Sequence, residues 1–131
     1  MKRRLIAVVV FAVSLSAIAV IAQQAPADDG RRNAIVVMRA INTAEIAVRQ
    51  RGGKYVPMAE LVEHPAMGGV KADIAVNVDG STYAYKGGQL RLALAADATQ
   101  YVVTFAPVET CGTASFTDER GMIYAGKVLD C

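Results

Sequence analysis

The chain has 131 residues, of which 53% are hydrophobic and 20% charged, with a formal net charge of +2. This length suits one domain and excludes two large ones. Three of the positive charges lie in the first four residues, so the slight basic excess does not indicate a nucleic-acid-binding protein.

Residues 1–22 have the pattern of a secretory signal peptide. The charged start MKRR precedes an uncharged apolar run from Leu5 to Ala22, and the polar stretch QQAPADDG follows. Small residues allow cleavage after Ala19 or after Ala22. The rival prediction is an uncleaved membrane anchor, because the run is just long enough to span a bilayer. Both predict an exported protein, periplasmic or extracellular or anchored in the inner membrane, since the basic start stays inside.

A helix is predicted over about residues 31–51, after a linker at residues 23–30. Apolar residues recur there at spacings of three and four, which lines one helix face, and Ile35, Met38 and Ile46 widen it. We expect Glu45 and Arg49 to pair on the solvent side. Two glycines then end the helix. The apolar positions are Ala34, Val37, Ile41, Ala44 and Val48.

The rest of the chain indicates strands. A short helix is predicted after Pro57, and Pro65 blocks its continuation. From Ile74 onwards the apolar period is two, interrupted by turn residues, and a final hairpin runs from Phe116 to Ile123. This order predicts an α+β fold, with an N-terminal amphipathic helix packed on a small antiparallel β-sheet. Residues 31–131 would form this domain.

The two cysteines of the chain, Cys111 and Cys131, bracket its last stretch. In an oxidising compartment they can pair, and two cysteines allow one intramolecular connectivity. Such a bond would tie down the C-terminus, which otherwise tends to fray. Two buried free thiols, or pairing between chains, are the alternatives.

Several segments resemble type IV pilins and the related pseudopilins of type II secretion. MRAINTAEIAVRQRGGKYVPMAEL is similar to the helix, Gly-Gly-Tyr turn and short helix that follow the membrane span in that family. Ala40–Glu45, Gly52–Tyr55 and Ala59–Leu61 carry this match. KGGQLRLAL, YVVTFAPV and ASFTDERGMIY resemble the family's sheet. The last of these fits the family's final hairpin at Ser115, Phe116, Asp118, Gly121 and Ile123.

The resemblance covers about residues 33–125 and implies a pilin-like head with a structural or interaction role. Its expected setting is the cell envelope, with protein partners in pilus or secretion machinery. A cysteine pair around the C-terminal region is also frequent in the family. The leader departs from the family, because it has no glycine before Ala22 and no glutamate in the apolar run. We therefore expect a pilin-type head released by ordinary signal peptidase or held by an uncleaved anchor.

Candidate catalytic groups are few. His64 is the only histidine, and we expect it at the C-terminal end of a short helix. Ser81 and Ser115 lack the surroundings of a nucleophile, and Asp118-Glu119 indicates a hairpin turn. No catalytic residue is predicted, and the protein is expected not to be an enzyme.

No metal or cofactor site is predicted. One histidine and two cysteines that can oxidise do not make a zinc site. The segment DIAVNVDGS offers oxygen ligands that suit calcium in principle, at Asp73, Asn77, Asp79 and Ser81. Asp79-Gly80 is, however, already typical of a turn, and the spacing is not that of an EF-hand.

Charge is distributed unevenly along the chain. Residues 30–56 carry six positive groups and one negative, whereas residues 57–131 carry five positive and nine negative. The basic part is either a solvated helix surface or a basic interaction surface for an acidic partner, with nucleic acid disfavoured. Its members are Arg31, Arg32, Arg39, Arg49, Arg51 and Lys54.

A stand-alone periplasmic binding module for a small molecule or peptide is the alternative function. It would use Tyr83, Tyr85 or Tyr101 if these side chains lined a groove. Tyrosines that alternate along strands more often pack in the core of a sheet.

Overall fold

The structure, a computed structural model, describes residues 26–127. A long helix packs on one face of a six-stranded antiparallel sheet, which confirms the predicted α+β class. The helices are α1 (Pro26–Gly52) and α2 (Met58–Leu61), followed by 3₁₀ turns at Pro65–Met67 and Lys71–Asp73. The strands are β1 (Ile74–Val76), β2 (Tyr83–Tyr85), β3 (Gly88–Leu94), β4 (Tyr101–Pro107), β5 (Thr113–Asp118) and β6 (Ile123–Lys127).

Helix α1 forms because its apolar residues keep the helical period over several turns. Ala34, Val37, Ile41 and Ala44 are fully buried, as their spacing predicts. The helix begins at Pro26, so part of the predicted linker at residues 23–30 is helical. Ile46 does not widen the buried face as expected, because it is 43% exposed.

The end of α1 follows from glycine geometry. Gly53 has φ of 76°, in the left-handed region, and its N–H donates to the Arg49 carbonyl at 2.7 Å. This is a common way for a helix to stop, since glycine adopts that conformation without a steric penalty. The chain then turns into the connection that leads to the sheet.

The sheet is a meander in which each strand pairs with the next along the chain, in the order β1 to β6. Helix α1 lies mainly across β5, with further contacts to β4 and β6. The helix and the sheet bury one apolar core between them, and residues 55–70 add the side chains that close it. Burying one large apolar side chain contributes about 2 kcal/mol to the free energy of unfolding, so the core between the helix and the sheet supplies most of the stability of the fold.

Two predicted features lie outside the described residues. One is the signal peptide or anchor at residues 1–22, and the other is Cys131. The Cys111–Cys131 disulfide therefore stays a prediction. Within residues 26–127, no helix has both the length and the hydrophobicity needed to cross a membrane.

Gly88 is the position in the sheet where a side chain is excluded. It pairs with Tyr85 and Pro107, and a Cβ atom added there would overlap the buried ring of Phe105. We expect Gly88→Ala to lower the free energy of unfolding by about 2 kcal/mol, because the ring must leave its packed position. Urea unfolding measures the effect.

Gly126→Ala is the matched control for this prediction. Gly126 is also a strand glycine, but an added Cβ meets no atom within 4 Å. Its substitution should change the free energy of unfolding by less than about 0.5 kcal/mol. Equal losses in both variants would show that strand flexibility, and not the Phe105 contact, sets the requirement at Gly88.

Candidate interaction surface

A buried polar cluster fixes α1 against the last hairpin. Asn42 Nδ2 donates to Thr117 Oγ1 at 2.9 Å and to the Gly121 carbonyl at 3.3 Å, and Tyr101 Oη donates to Asn42 Oδ1 at 2.7 Å. Asn42 is 6% exposed and Tyr101 only 1%. One amide on the helix thus joins β4, β5 and the β5–β6 turn, which sets the position of β6 relative to the helix.

Glu45 belongs to the same interior, which corrects the prediction that it pairs with Arg49 on the solvent side. Its side chain is fully buried, and Oε2 accepts a hydrogen bond from the Val56 N–H at 3.1 Å. Oε1 has no hydrogen-bond partner within residues 26–127. Burial, only partly offset by the Val56 N–H, raises the pKa of Glu45 to about 7.

Arg49 is instead part of the end of the helix. Its Nη1 donates to Tyr55 Oη at 2.8 Å, and its guanidinium lies 5.1 Å from the centre of the Tyr55 ring. Glu45 therefore faces the interior of the protein and Arg49 faces outward, although the two residues are one helical turn apart. The contact of Arg49 is a local brace for the turn after α1.

The predicted basic surface divides into two parts. Arg31, Arg32 and Arg39 lie on the first half of α1, whereas Arg49 lies about 27 Å along the helix axis from Arg31. Arg51 and Lys54 are exposed beside the helix C-terminus, where positive charge is favourable against the helix dipole. We name the first part the N-terminal arginines, defined as Arg31, Arg32 and Arg39.

The N-terminal arginines border a groove between α1 and the edge strand β6. The groove has a volume of about 370 Å³ and is lined by Arg31, Ile35 and Arg39 on the helix and by Gly121, Ile123 and Ala125 on the hairpin. Within the described residues, no carboxylate forms an ion pair with Arg31 or Arg39. Arg32 has only a long contact to Asp29, at 3.8 Å.

The opposite face of the sheet carries an apolar depression of about 440 Å³ next to the same strand. Phe116 on β5 and Tyr124 on β6 are cross-strand partners whose rings stack, with centres 4.7 Å apart and planes 14° apart. They are 45% and 37% exposed. The floor beside them consists of small residues, at Ala106, Ala114 and Gly126. Strand β6 therefore has a basic groove on one side and an aromatic depression on the other.

His64 has a local structural role that differs from the predicted one. It follows α2, but its Nδ1 accepts a hydrogen bond from the Ala66 N–H at 3.2 Å and so caps the next 3₁₀ turn. This bond assigns the remaining proton of the neutral ring to Nε2. Nε2 is buried and has no partner among the described residues.

The oxygen-bearing side chains considered for calcium, from Asp73 to Ser81, form local contacts instead. Asp79 Oδ1 accepts from the backbone N–H groups of Thr82 and Ser81, both at 2.9 Å, and Oδ2 accepts from the Thr82 hydroxyl. These bonds lower the pKa of Asp79. Asp73 pairs with Lys86 at 2.9 Å. In residues 26–127 no group of three acidic, histidine or cysteine side chains is arranged to hold a metal ion.

The other candidate catalytic residues are also engaged in the fold. Ser115 is 4% exposed on the helix-facing side of β5, and its hydroxyl has no hydrogen-bond partner in the part of the chain that the structure describes. Asp118 accepts hydrogen bonds from the backbone and side chain of Arg120, which lower its pKa and close the hairpin turn. These groups do not meet at a common site.

The tyrosines proposed for a binding groove are core residues. Tyr83, Tyr85 and Tyr101 are 5%, 2% and 1% exposed, because all three point towards the helix. Their burial agrees with packing in the core, which we expect more often for tyrosines that alternate along strands, and excludes the alternative that they line a groove. Within residues 26–127 the exposed aromatic residues are Phe116 and Tyr124, and sequence reasoning did not select either of them as a binding residue.

Two signals in the sequence could have identified the missed residues. Met38, Asn42 and Glu45 are spaced at four and three, so two polar residues follow a buried methionine on one helix face. In the last hairpin, a turn of four residues after Asp118 makes Phe116 and Tyr124 cross-strand neighbours. Neither signal indicates which face is buried.

No family model, curated protein or solved structure gives a significant match to this chain.

Proposed function

We propose that the chain is an exported, non-enzymatic, pilin-like interaction protein of the cell envelope. The apolar start of the sequence supports export, and the order of pilin-like segments supports the kinship. Its partners would be proteins of pilus or secretion machinery, met at the surface around β6. Anchoring through residues 5–22 would keep the domain at the membrane if that segment is not cleaved.

The observation that carries the proposal is the packing of α1 on the meander. Three of the segments that resemble the pilin family lie on the helices and on the last hairpin. Ala40–Glu45 lies within α1, Ala59–Leu61 overlaps α2, and Ser115–Ile123 forms the last hairpin. Asn42, within the first of these segments, holds that hairpin on the helix.

Two further observations support an interaction role over an enzymatic one. His64 caps a 3₁₀ turn, whereas Ser115 and Asp118 lie on β5, where Ser115 is buried and Asp118 bonds to Arg120 in the hairpin turn. Among residues 26–127, exposed features that a partner could contact include Arg31 and Arg39, which have no ion pair there, and the Phe116–Tyr124 pair. Guanidinium groups and exposed aromatic rings are enriched where proteins bind one another.

Fractionation of the producing cells, followed by intact-mass measurement, tests export. We expect the protein in the periplasm, medium or inner membrane, with a start at Val20 or Gln23, or at Met1 if the anchor is kept. The size of the purified species decides among these starts. Recovery of the chain in the cytoplasm alone would contradict the proposal.

Deletion of the chain tests the machinery role. We expect loss of pili or of a secreted substrate, restored by the wild-type chain. The matched variant Arg39→Glu should fail to restore it, whereas Arg51→Glu at the other end of α1 should succeed. Normal piliation and secretion in the deletion strain would overturn the role, even if the protein is exported.

A further inference from the structure

Strand β6 is an edge strand with an unoccupied side. It pairs with β5 on one side, and among residues 26–127 no strand pairs with it on the other. The backbone N–H and C=O groups on that side are available to an added strand. Strand addition is a general mode of peptide recognition in which main-chain bonds give affinity and alternate side-chain sites give specificity.

The helix side of this edge favours negative charge. Residues of an added strand opposite Ile123 and Ala125 would point to the groove that contains Arg31 and Arg39. Both guanidinium groups lack an ion pair in the described residues. Ile35 lines the same groove, and the two exposed guanidinium groups can form charge-assisted hydrogen bonds with carboxylates, which are stronger than neutral hydrogen bonds.

The other side of the edge favours apolar side chains. Residues of an added strand opposite Tyr124 and Gly126 would point to the open face, beside the Phe116–Tyr124 stack. The small floor at Ala106, Ala114 and Gly126 leaves room for a branched aliphatic side chain. Covering the exposed Phe116–Tyr124 rings with an aliphatic side chain would remove apolar surface from water, which favours binding.

We infer that β6 binds an extended partner segment in which acidic and aliphatic residues alternate. The pattern follows from the period of two in a strand, because the basic groove and the aromatic depression lie on opposite faces of the same edge. This inference rests on the interaction role proposed above and adds the chemistry of the partner. It assigns Arg31 and Arg39 to the acidic positions and Tyr124 to the aliphatic ones.

The alternating pattern also distinguishes this peptide partner from nucleic acid, anionic lipid and a second copy of the chain. Nucleic acid and anionic lipid would meet the N-terminal arginines through phosphates but would not need the strand edge or the aromatic depression. A second copy of the chain could add a strand, but the opposite edge of the sheet, β1, presents Ile74 and Val76 to the helix side and no acidic residue within the strand. An acidic-aliphatic peptide matches both faces.

Fluorescence anisotropy with the full chain in mild non-ionic detergent tests the inference. The probe is an acetylated Val-Glu-Val-Glu-Val-Glu amide that carries a neutral fluorophore. The matched peptides are a Val-Lys repeat and a Val-Val-Val-Glu-Glu-Glu block of the same composition. We expect saturable binding of the first probe only, with at least about a tenfold preference over either control.

Backbone methylation of the probe tests the strand addition itself. Methyl groups on the amides of alternate residues remove either the set of N–H groups that faces β6 or the set that faces solvent. We expect one methylated peptide to lose binding by about tenfold or more and the other to retain it. Equal effects of the two methylation patterns would overturn strand addition.

Variants of the protein test the two faces. Arg39→Glu should weaken the probe about tenfold and Tyr124→Ala about fivefold, while Arg51→Glu should change it less than twofold. Thermal melts check that each variant is folded, and the peptide controls do not depend on any variant. Export and piliation play no part in this measurement, so its failure is distinct from failure of the proposed function.

Three outcomes would overturn the inference. Equal binding of the alternating and block peptides would mean a diffuse charge effect. Binding to anionic vesicles, with none to the alternating peptide, would assign the N-terminal arginines to lipid. Concentration-dependent self-association that Arg39→Glu abolishes, again without peptide binding, would assign the edge to a second copy.

Discussion

Replacing Asn42 by alanine should lower the free energy of unfolding by about 3 kcal/mol, the largest effect that we expect from one side chain of this protein. The substitution removes bonds to Thr117, Gly121 and Tyr101 at once. It leaves the buried hydroxyls of Thr117 and Tyr101 without their partner. Chemical unfolding of both proteins under identical conditions measures the difference.

Thr43→Ala is the control for Asn42→Ala. Thr43 is the next residue on the helix and is exposed, and its hydroxyl donates to the Arg39 carbonyl one turn back. Its loss should change the free energy of unfolding by less than about 0.5 kcal/mol. A loss below about 1 kcal/mol in Asn42→Ala would show that water replaces the cluster, and that the amide does not fix the hairpin.

Tyr101→Phe shows whether the bonds of Asn42 act together. It removes the hydroxyl that donates to Asn42 Oδ1 and keeps the ring, which packs edge-on against Tyr55. In a double-mutant cycle we expect a coupling of about 1 kcal/mol between positions 42 and 101. Additive losses would assign independent roles to the two side chains.

The stability of the protein should fall as the pH rises from about 5 to about 8, because Glu45 is buried with only one donor. Its folded-state pKa is about 7, above the ordinary value of 4.5. Between these values the folded chain keeps a proton that the unfolded chain has released. The stabilisation is therefore complete below the ordinary value and is lost as the pH rises through about 7, by up to about 3 kcal/mol.

Glu45→Gln should remove this pH dependence. The amide oxygen can still accept from the Val56 N–H, and the side chain carries no charge at any pH. At about pH 8 we expect the variant to be more stable than the wild type by about 2 kcal/mol, with near equality at about pH 5. Thermal or urea unfolding at both pH values measures the difference.

Glu60→Gln is the control for the pH experiment, since Glu60 is an exposed glutamate on α2. Its pH profile should follow that of the wild type. If Glu45→Gln also follows the wild type, another group causes the pH dependence. Tyr101 cannot be that group, because burial raises the pKa of its hydroxyl further above this range.

The predictions for Asn42 and Glu45 both concern the packing of α1 in the protein interior, which sets the position of β6 beside the helix. Asn42 and Glu45 lie on the side of α1 that meets the sheet, while Arg39 lies on the side that meets the groove beside β6. Loss of the Asn42 cluster should shift the hairpin relative to the helix. We therefore expect Asn42→Ala to weaken binding at β6 as well as stability, which the anisotropy assay can measure.

The elements of this fold could be predicted from local pattern. The spacing of Ala34, Val37 and Ile41 is set by the geometry of a helix, and the alternation at Tyr101, Val103 and Phe105 by that of a strand. The Gly52-Gly53 pair predicted the end of the helix, because glycine readily adopts the left-handed conformation found there. The order of one helix and then strands with short connections was sufficient for the α+β class.

The candidate surface depended on contacts that no local pattern contains. Glu45 and Arg49 have the spacing of an exposed ion pair, yet Glu45 is buried and accepts from the Val56 N–H, whereas Arg49 donates to Tyr55. Phe116 and Tyr124 lie side by side because of the register between β5 and β6. Arg39 and Ala125 line the same groove because the helix crosses the hairpin at that point. By itself, the sequence determined which segments are helix and strand, because that follows from short-range geometry. Only the tertiary structure decided which faces are buried and which charges meet, because these depend on packing between residues far apart in the chain.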